Sequence, residues 1–127
     1  MGNKLLIVDD ELIIRQMLAD VFSRLGYEVY TAESAEEALT ILANTHIKVM
    51  FFDIQLPGMS GLDLCRQVRQ TNRIAVIYAI TGFTNLFQLD ECREVGFDDY
   101  FSKPFQIVAL VKATQEAFEK IDRWTRK

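Results

Sequence analysis

The sequence predicts an α/β domain, a five-stranded parallel sheet wound on both faces by helices. Three observations predict it. Short runs rich in Val, Ile, Phe and Tyr alternate along the chain with longer stretches of helical spacing. The first, third and fourth runs are apolar almost throughout, as strands covered on both faces require. Polar residues collect directly after the runs, at the edge where an open parallel sheet binds its ligands.

The first strand is expected at residues 4–8, KLLIV. A helix follows, in which Ile13, Met17 and Val21 recur every fourth residue with Ile14, Leu18 and Phe22 alongside, and Gly26 stops it. The second strand, 28–31, is short and more polar, which places it towards an edge of the sheet. Ser34 followed by Glu37 has the capping-box pattern and opens a helix whose apolar side is Ala35, Ala38, Leu39 and Leu42. The third strand, 48–52, runs into Asp53 and then a Pro57-Gly58 turn. Ser60 is placed to cap the next helix, which carries Leu62, Cys65 and Val68. The fourth strand is 75–80, and its helix runs from about 85 to 95 before Gly96. The fifth strand, 99–101, is a second edge candidate, and Ile107, Val111, Thr114, Phe118 and Ile121 mark one face of a long last helix.

The 127 residues fit one domain, 1–127, with 122–127 as a C-terminal tail or the start of a linker. A net charge of -4 offers no field for nucleic acid, so no direct nucleic-acid partner is expected. No apolar run approaches the ~20 residues that span a bilayer, and the first residues lack a signal-peptide layout. Cys65 and Cys92 each lie in an apolar-patterned segment and read as core thiols of a cytoplasmic protein. His46, the only histidine, reads as a surface residue.

Asp9 and Asp10 follow the first strand, Asp53 the third, Thr81 and Gly82 the fourth, and Ser102, Lys103 and Pro104 the fifth. Each has an ordinary explanation. Asp10 could cap the first helix, Thr81 could start the fourth, Asp53 could form a turn and Lys103 could be a solvated charge. Those explanations do not account for acids after two strands with a hydroxyl and an amine after two others, all on one sheet edge. Close carboxylates repel unless a cation intervenes. Lys103 supplies one positive charge, and an all-oxygen set suits a hard ion such as Mg²⁺. Carboxylate, Mg²⁺, amine and hydroxyl together point to phosphoryl transfer, in which a carboxylate can itself be the nucleophile. No Gly-rich nucleotide loop is present, and glycoside hydrolysis by the paired acids has no sugar-sized aromatic cleft to support it.

The segments VDDE at 8–11, FDIQLPGMSG at 52–61, ITGF at 80–83 and SKPF at 102–105 resemble, in this order and spacing, a response-regulator receiver domain. The resemblance covers essentially the whole chain. It implies a flavodoxin-like fold with strand order 2-1-3-4-5 and a phosphorylation-dependent switch of a two-component system. Asp53 would be the phospho-acceptor; Asp10 and Asp53 would bind Mg²⁺ directly, Asp9 through a water, and Gln55 through its backbone carbonyl. Lys103 would pair with the acids at rest and with a phosphoryl oxygen afterwards, and Thr81 would donate to another. Gly82 would leave room for that oxygen, Tyr100 would be the aromatic switch, and the Lys103–Pro104 bond would be cis. Gln55 and Phe83 would tune the lifetime of the phosphoryl group. The resemblance implies a sensor histidine kinase or phosphotransfer protein as donor, and a downstream effector or fused output domain as reader of the fourth-helix, fifth-strand and fifth-helix surface. It allows a phosphorylation-dependent homodimer. Leu86, Phe87 and Leu89 are candidates for apolar surface on the fourth helix. Two other readings stay open. In a phosphatase of the haloacid-dehalogenase type a second Asp is wanted where Gln55 stands, and a degenerate receiver would be an interaction module only.

Overall fold

A computed structural model describes residues 3–82 and 86–125 of the chain. The apolar runs form five strands, β1 (Lys4–Val8), β2 (Glu28–Ala32), β3 (Val49–Asp53), β4 (Val76–Thr81) and β5 (Asp99–Ser102). Each is followed by a helix: α1 (Leu12–Arg24), α2 (Ala35–Asn44), α3 (Gly61–Thr71), α4 (Leu86–Val95) and α5 (Ile107–Thr125). All pairings are parallel, in the order β2-β1-β3-β4-β5. The two more polar strands are the edges, as their composition predicts.

Alternation along the strands divides the core into two layers. Leu5, Ile7, Val49, Phe51, Val76, Tyr78 and Ile80 face α1 and α5. Leu6, Val8, Met50, Phe52, Ile77 and Ala79 face α2, α3 and α4. The sheet is thus doubly wound, with the reversal between β1 and β3. Tyr78 crosses its layer to donate from its hydroxyl to the Ala113 carbonyl of α5, at 3.0 Å.

Local signals act as expected at the helix starts. Ser34 Oγ accepts from the Glu37 N–H at 3.1 Å, and Ser60 Oγ accepts from the Asp63 N–H at 3.1 Å. The capping box is displaced by one residue, because Glu37 Oε1 accepts from the Glu33 N–H rather than that of Ser34. Helix α1 meets the sheet with part of the expected apolar face. Ile13 is 77% exposed, and the face on the sheet is Ile14, Met17, Leu18 and Phe22. Two adjacent apolar stripes are written into this helix; the 14/18/22 stripe meets the sheet, and Met17 is the member of the 13/17/21 stripe that packs with it.

Gly61 is required by close approach. A Cβ there would lie 2.2 Å from the Asp53 carbonyl oxygen, and its N–H donates to the Ile54 carbonyl at 2.9 Å. The start of α3 is therefore pressed against the chain leaving β3. Gly58, in the turn between them, has φ +76, the left-handed conformation in which glycine carries no Cβ penalty.

Cys65 and Cys92 are free and buried between α3 and α4. Burial pushes the Cys65 thiol up to about 12 and raises that of Cys92. The thiolate is the reactive form, so neither should react with a thiol reagent at mildly alkaline pH in the native state. Both should react fully in denaturant, which a colorimetric thiol assay measures. Fast native reaction would contradict their burial.

Candidate functional site

Sheet register assembles the polar groups. Val8 pairs with Phe52, so the residues that follow, Asp9 and Asp53, leave adjacent central strands side by side. By alternation, Asp9, Asp53 and Lys103 lie on the α1/α5 side, in line with Ile7, Phe51 and Phe101. Thr81 and Tyr100 lie on the other side. Ala79 pairs with Tyr100 and Thr81 with Ser102, which puts Thr81 and Tyr100 on neighbouring strands of one sheet face. The Lys103–Pro104 peptide bond is cis, and the Lys103 N–H donates to the Thr81 carbonyl at 2.8 Å.

Lys103 Nζ stands 3.0 Å from Asp9 Oδ2, 3.1 Å from Asp53 Oδ2 and 3.0 Å from Glu11 Oε1. Asp9 is fully buried and Asp53 is 4% exposed, whereas Asp10 points outward. The other oxygens of the two buried acids are held by backbone. Asp9 Oδ1 accepts from the Glu11 N–H at 2.8 Å, and Asp53 Oδ1 accepts from the Gln55 N–H at 3.0 Å. Arg15 Nη1 donates to the Asp9 carbonyl at 2.7 Å and steadies the turn that carries the acids.

Burial raises the Asp53 carboxyl above its ordinary value. The Gln55 N–H and Lys103 pull it back, and the neighbouring Asp9 adds to the rise. For Lys103, burial acts downward, but pairing with Glu11, Asp9 and Asp53 carries the ammonium well above its ordinary value. The pocket therefore keeps its lysine charged.

Ligand oxygens of Asp9, Asp10 and Asp53 all lie within 4.8 Å of one another. Asp9 Oδ2 is buried beside the ammonium with no aligned hydrogen-bond donor. An all-carboxylate donor set, with a buried Asp9 oxygen met only by the ammonium, fits a hard divalent cation.

The ordinary explanations are mostly excluded. The N-cap of α1 is Glu11, which makes no side-chain cap, so Asp10 is not capping it. Thr81 is the buried last residue of β4, well before α4 begins. Lys103 is paired, not solvated. Asp53 does also perform the local turn role, through the Gln55 N–H, as Asp9 does through that of Glu11. Tyr100 is 39% exposed on β5, and Gln55 and His46 are exposed. A Cβ at Gly82 would meet nothing within 4 Å, so that position is open. Phe83, and the side chains of Leu86 and Phe87, lie outside the described residues. Glu11 is the site residue that sequence reasoning misses. Its signal was the third acid of VDDE, four residues before Arg15.

The family model for the response regulator receiver domain matches residues 5–115. The aerobic respiration control protein ArcA of Escherichia coli K12 is 39% identical over 101 residues, which are 80% of this chain and 42% of ArcA. The sporulation initiation phosphotransferase F of Bacillus subtilis is 31% identical over 116 residues, 91% of this chain and 94% of that protein. The chain spans about half the length of most curated relatives it matches. Among solved structures, a CheY-like response regulator receiver domain protein of Methanospirillum hungatei JF-1 superimposes with a TM-score of 0.93. It is 27% identical, with 97% of this chain and 98% of that one covered.

Proposed function

As a member of the response regulator receiver domain family, this chain is a regulatory signalling domain, and we propose that it is switched by a phosphoryl group carried on Asp53. The observation that carries the proposal is the meeting of two buried carboxylates, one exposed carboxylate and one ammonium at the carboxyl ends of the strands. The donor is a phosphohistidine on a sensor kinase or phosphotransfer protein. An Asp53 carboxylate oxygen attacks the phosphorus in line as the phosphorus–nitrogen bond breaks. That electron pair leaves on the imidazole nitrogen, which takes up a proton, and an acyl phosphate remains on Asp53.

Asp10, Asp53 and the Gln55 carbonyl would hold Mg²⁺, with Asp9 acting through a water. When bound, the ion supplies charge neutralisation for the phosphoryl oxygens. Lys103 turns from the carboxylates to a phosphoryl oxygen, and the Thr81 hydroxyl donates to another. Movement of Thr81 reaches Tyr100 across the sheet face that they share. The ring turns inward, and the surface of α4, β5 and α5 changes for an effector, a fused output domain or a second copy. The phosphoryl group shifts this equilibrium by its differential affinity for the two states. The domain spans the chain, with 122–127 as a tail or linker start. It works in the cytoplasm, catalysing only its own phosphorylation and dephosphorylation. No helix among the described residues is long and apolar enough to cross a membrane.

Acetyl phosphate with Mg²⁺ should label the wild-type chain, and Asp53→Asn should abolish the label, read by intact mass. Full labelling of Asp53→Asn would remove Asp53 from the proposal.

A further inference from the structure

An ammonium has three N–H donors, and in this resting site three carboxylates surround Lys103. Asp9, Glu11 and Asp53 stand at 3.0, 3.0 and 3.1 Å. A phosphoryl oxygen must compete for the ammonium with the carboxylates that stay on it, which are Asp9 and Glu11 once Asp53 is esterified. Asp9 and Asp53 are buried, and their second oxygens are tied to backbone N–H groups. Asp53 gives up its own charge on esterification, and withdrawal of Asp9 would leave a buried carboxylate without its counter-charge, which is costly. The Glu11 side chain is 59% exposed and has water to turn to. Its backbone is fixed, because its N–H donates to Asp9 Oδ1 and its carbonyl accepts from Arg15 at 3.1 Å. Only the side chain is released.

We infer that Glu11 is a positioning residue that acts through Lys103, holding it in the unphosphorylated arrangement and opposing the phosphoryl group. The inference rests on the phospho-acceptor reading and deepens it. An arriving phosphoryl group adds about 1.5 to 2 negative charges, so it competes with Glu11 for the ammonium and repels the carboxylate. By sharing the ammonium, Glu11 also loosens the grip of Lys103 on Asp9 and Asp53, which favours cation entry before phosphorylation. One residue therefore acts with opposite sign on the two binding events.

The test is Glu11→Gln, a nearly isosteric change at an exposed side chain. Mg²⁺ affinity is measured by titration calorimetry. The affinity of beryllium trifluoride, a phosphoryl mimic, is measured at saturating Mg²⁺. The Lys103 ammonium is observed by ¹⁵N NMR without metal. Mg²⁺ should bind about threefold more weakly and the beryllium trifluoride about threefold more tightly, the scale of a partly exposed ion pair. Hydrogen exchange of the Lys103 ammonium should quicken. Shifts of the same sign, no shift in either affinity, or an unchanged ammonium signal would overturn the inference. If the wild-type chain binds Mg²⁺ but not beryllium trifluoride, the phospho-acceptor reading fails. The Mg²⁺ and ammonium measurements then still decide whether Glu11 acts through Lys103.

Discussion

Replacing Lys103 by Met should cost about 3 kcal/mol of stability at neutral pH, because the change leaves two buried carboxylates facing each other without a cation. Most of the loss should be recoverable in two ways. Mg²⁺ should stabilise the variant more than the wild type, since it restores the missing charge. Acid should restore it as well. Asp53 already has a raised pKa in the folded protein, from burial first, and loss of the ammonium raises it further. A carboxyl that binds its proton more tightly folded than unfolded favours the fold at low pH. That advantage disappears as pH rises through the folded value. The deficit of the variant relative to wild type should therefore shrink as pH falls from neutrality through the raised Asp53 value. Denaturant melts across that range, with and without Mg²⁺, measure it. A deficit that grows in acid would contradict the assigned electrostatics.

The second large effect lies at the opposite edge of the sheet. Arg69 of α3 donates from Nη2 to Asp98 Oδ2 at 2.8 Å and from Nε to the Gly96 carbonyl at 2.9 Å. Its Nη1 donates to the Ala75 and Arg73 carbonyls. Asp98 Oδ2 also accepts the Ile77 N–H at 2.8 Å, so one ion pair ties α3 to the amino-terminal ends of β4 and β5 and to the end of α4. Arg69→Ala removes the nearer of two cations on Asp98, whose other oxygen has Lys120 at 3.8 Å, and strips several carbonyls of their donor. A loss of about 2 kcal/mol follows, most of it from the carbonyls left without a donor. Arg69→Lys should recover less than half, since a point charge cannot reproduce the fork of donors. Below the melting temperature, phosphoryl uptake should be unchanged, because nothing in this clasp touches the acids. Denaturant melts and intact-mass labelling separate the two outcomes. A stable Arg69→Ala protein would mean that the clasp is ornamental.

The site was legible because its residues stop apolar runs. An acid directly after KLLIV or KVMFF needs a charged or polar partner, and parallel strands deliver all such residues to one edge. The alternating pattern and the polar second and fifth strands likewise carried the sheet edges. What sequence could not carry depends on partners far along the chain. Glu11 meets Lys103 across 92 positions, and Arg69 meets Asp98 across 29, through carbonyls that any residue could supply. The orientation of α1 is a third case. Stripes 13/17/21 and 14/18/22 are equally apolar, and docking against Phe51 and the sheet, not periodicity, selects the face with Phe22. Helix α4, whose pattern was the least regular, forms near its expected bounds because Cys92, Val95 and Phe97 bury against the sheet.

In the proposed function the carboxylate delivered by β3 is the one that takes the phosphoryl group. Borohydride reduction of the Mg²⁺- and acetyl-phosphate-treated protein tests it directly, because an acyl phosphate on Asp is reduced to homoserine, which peptide sequencing by mass spectrometry locates. Homoserine is expected at position 53 alone, and none when Mg²⁺ is withheld. Homoserine at position 9 or 10, or a phosphoryl label stable to borohydride on another residue such as His46, would contradict it.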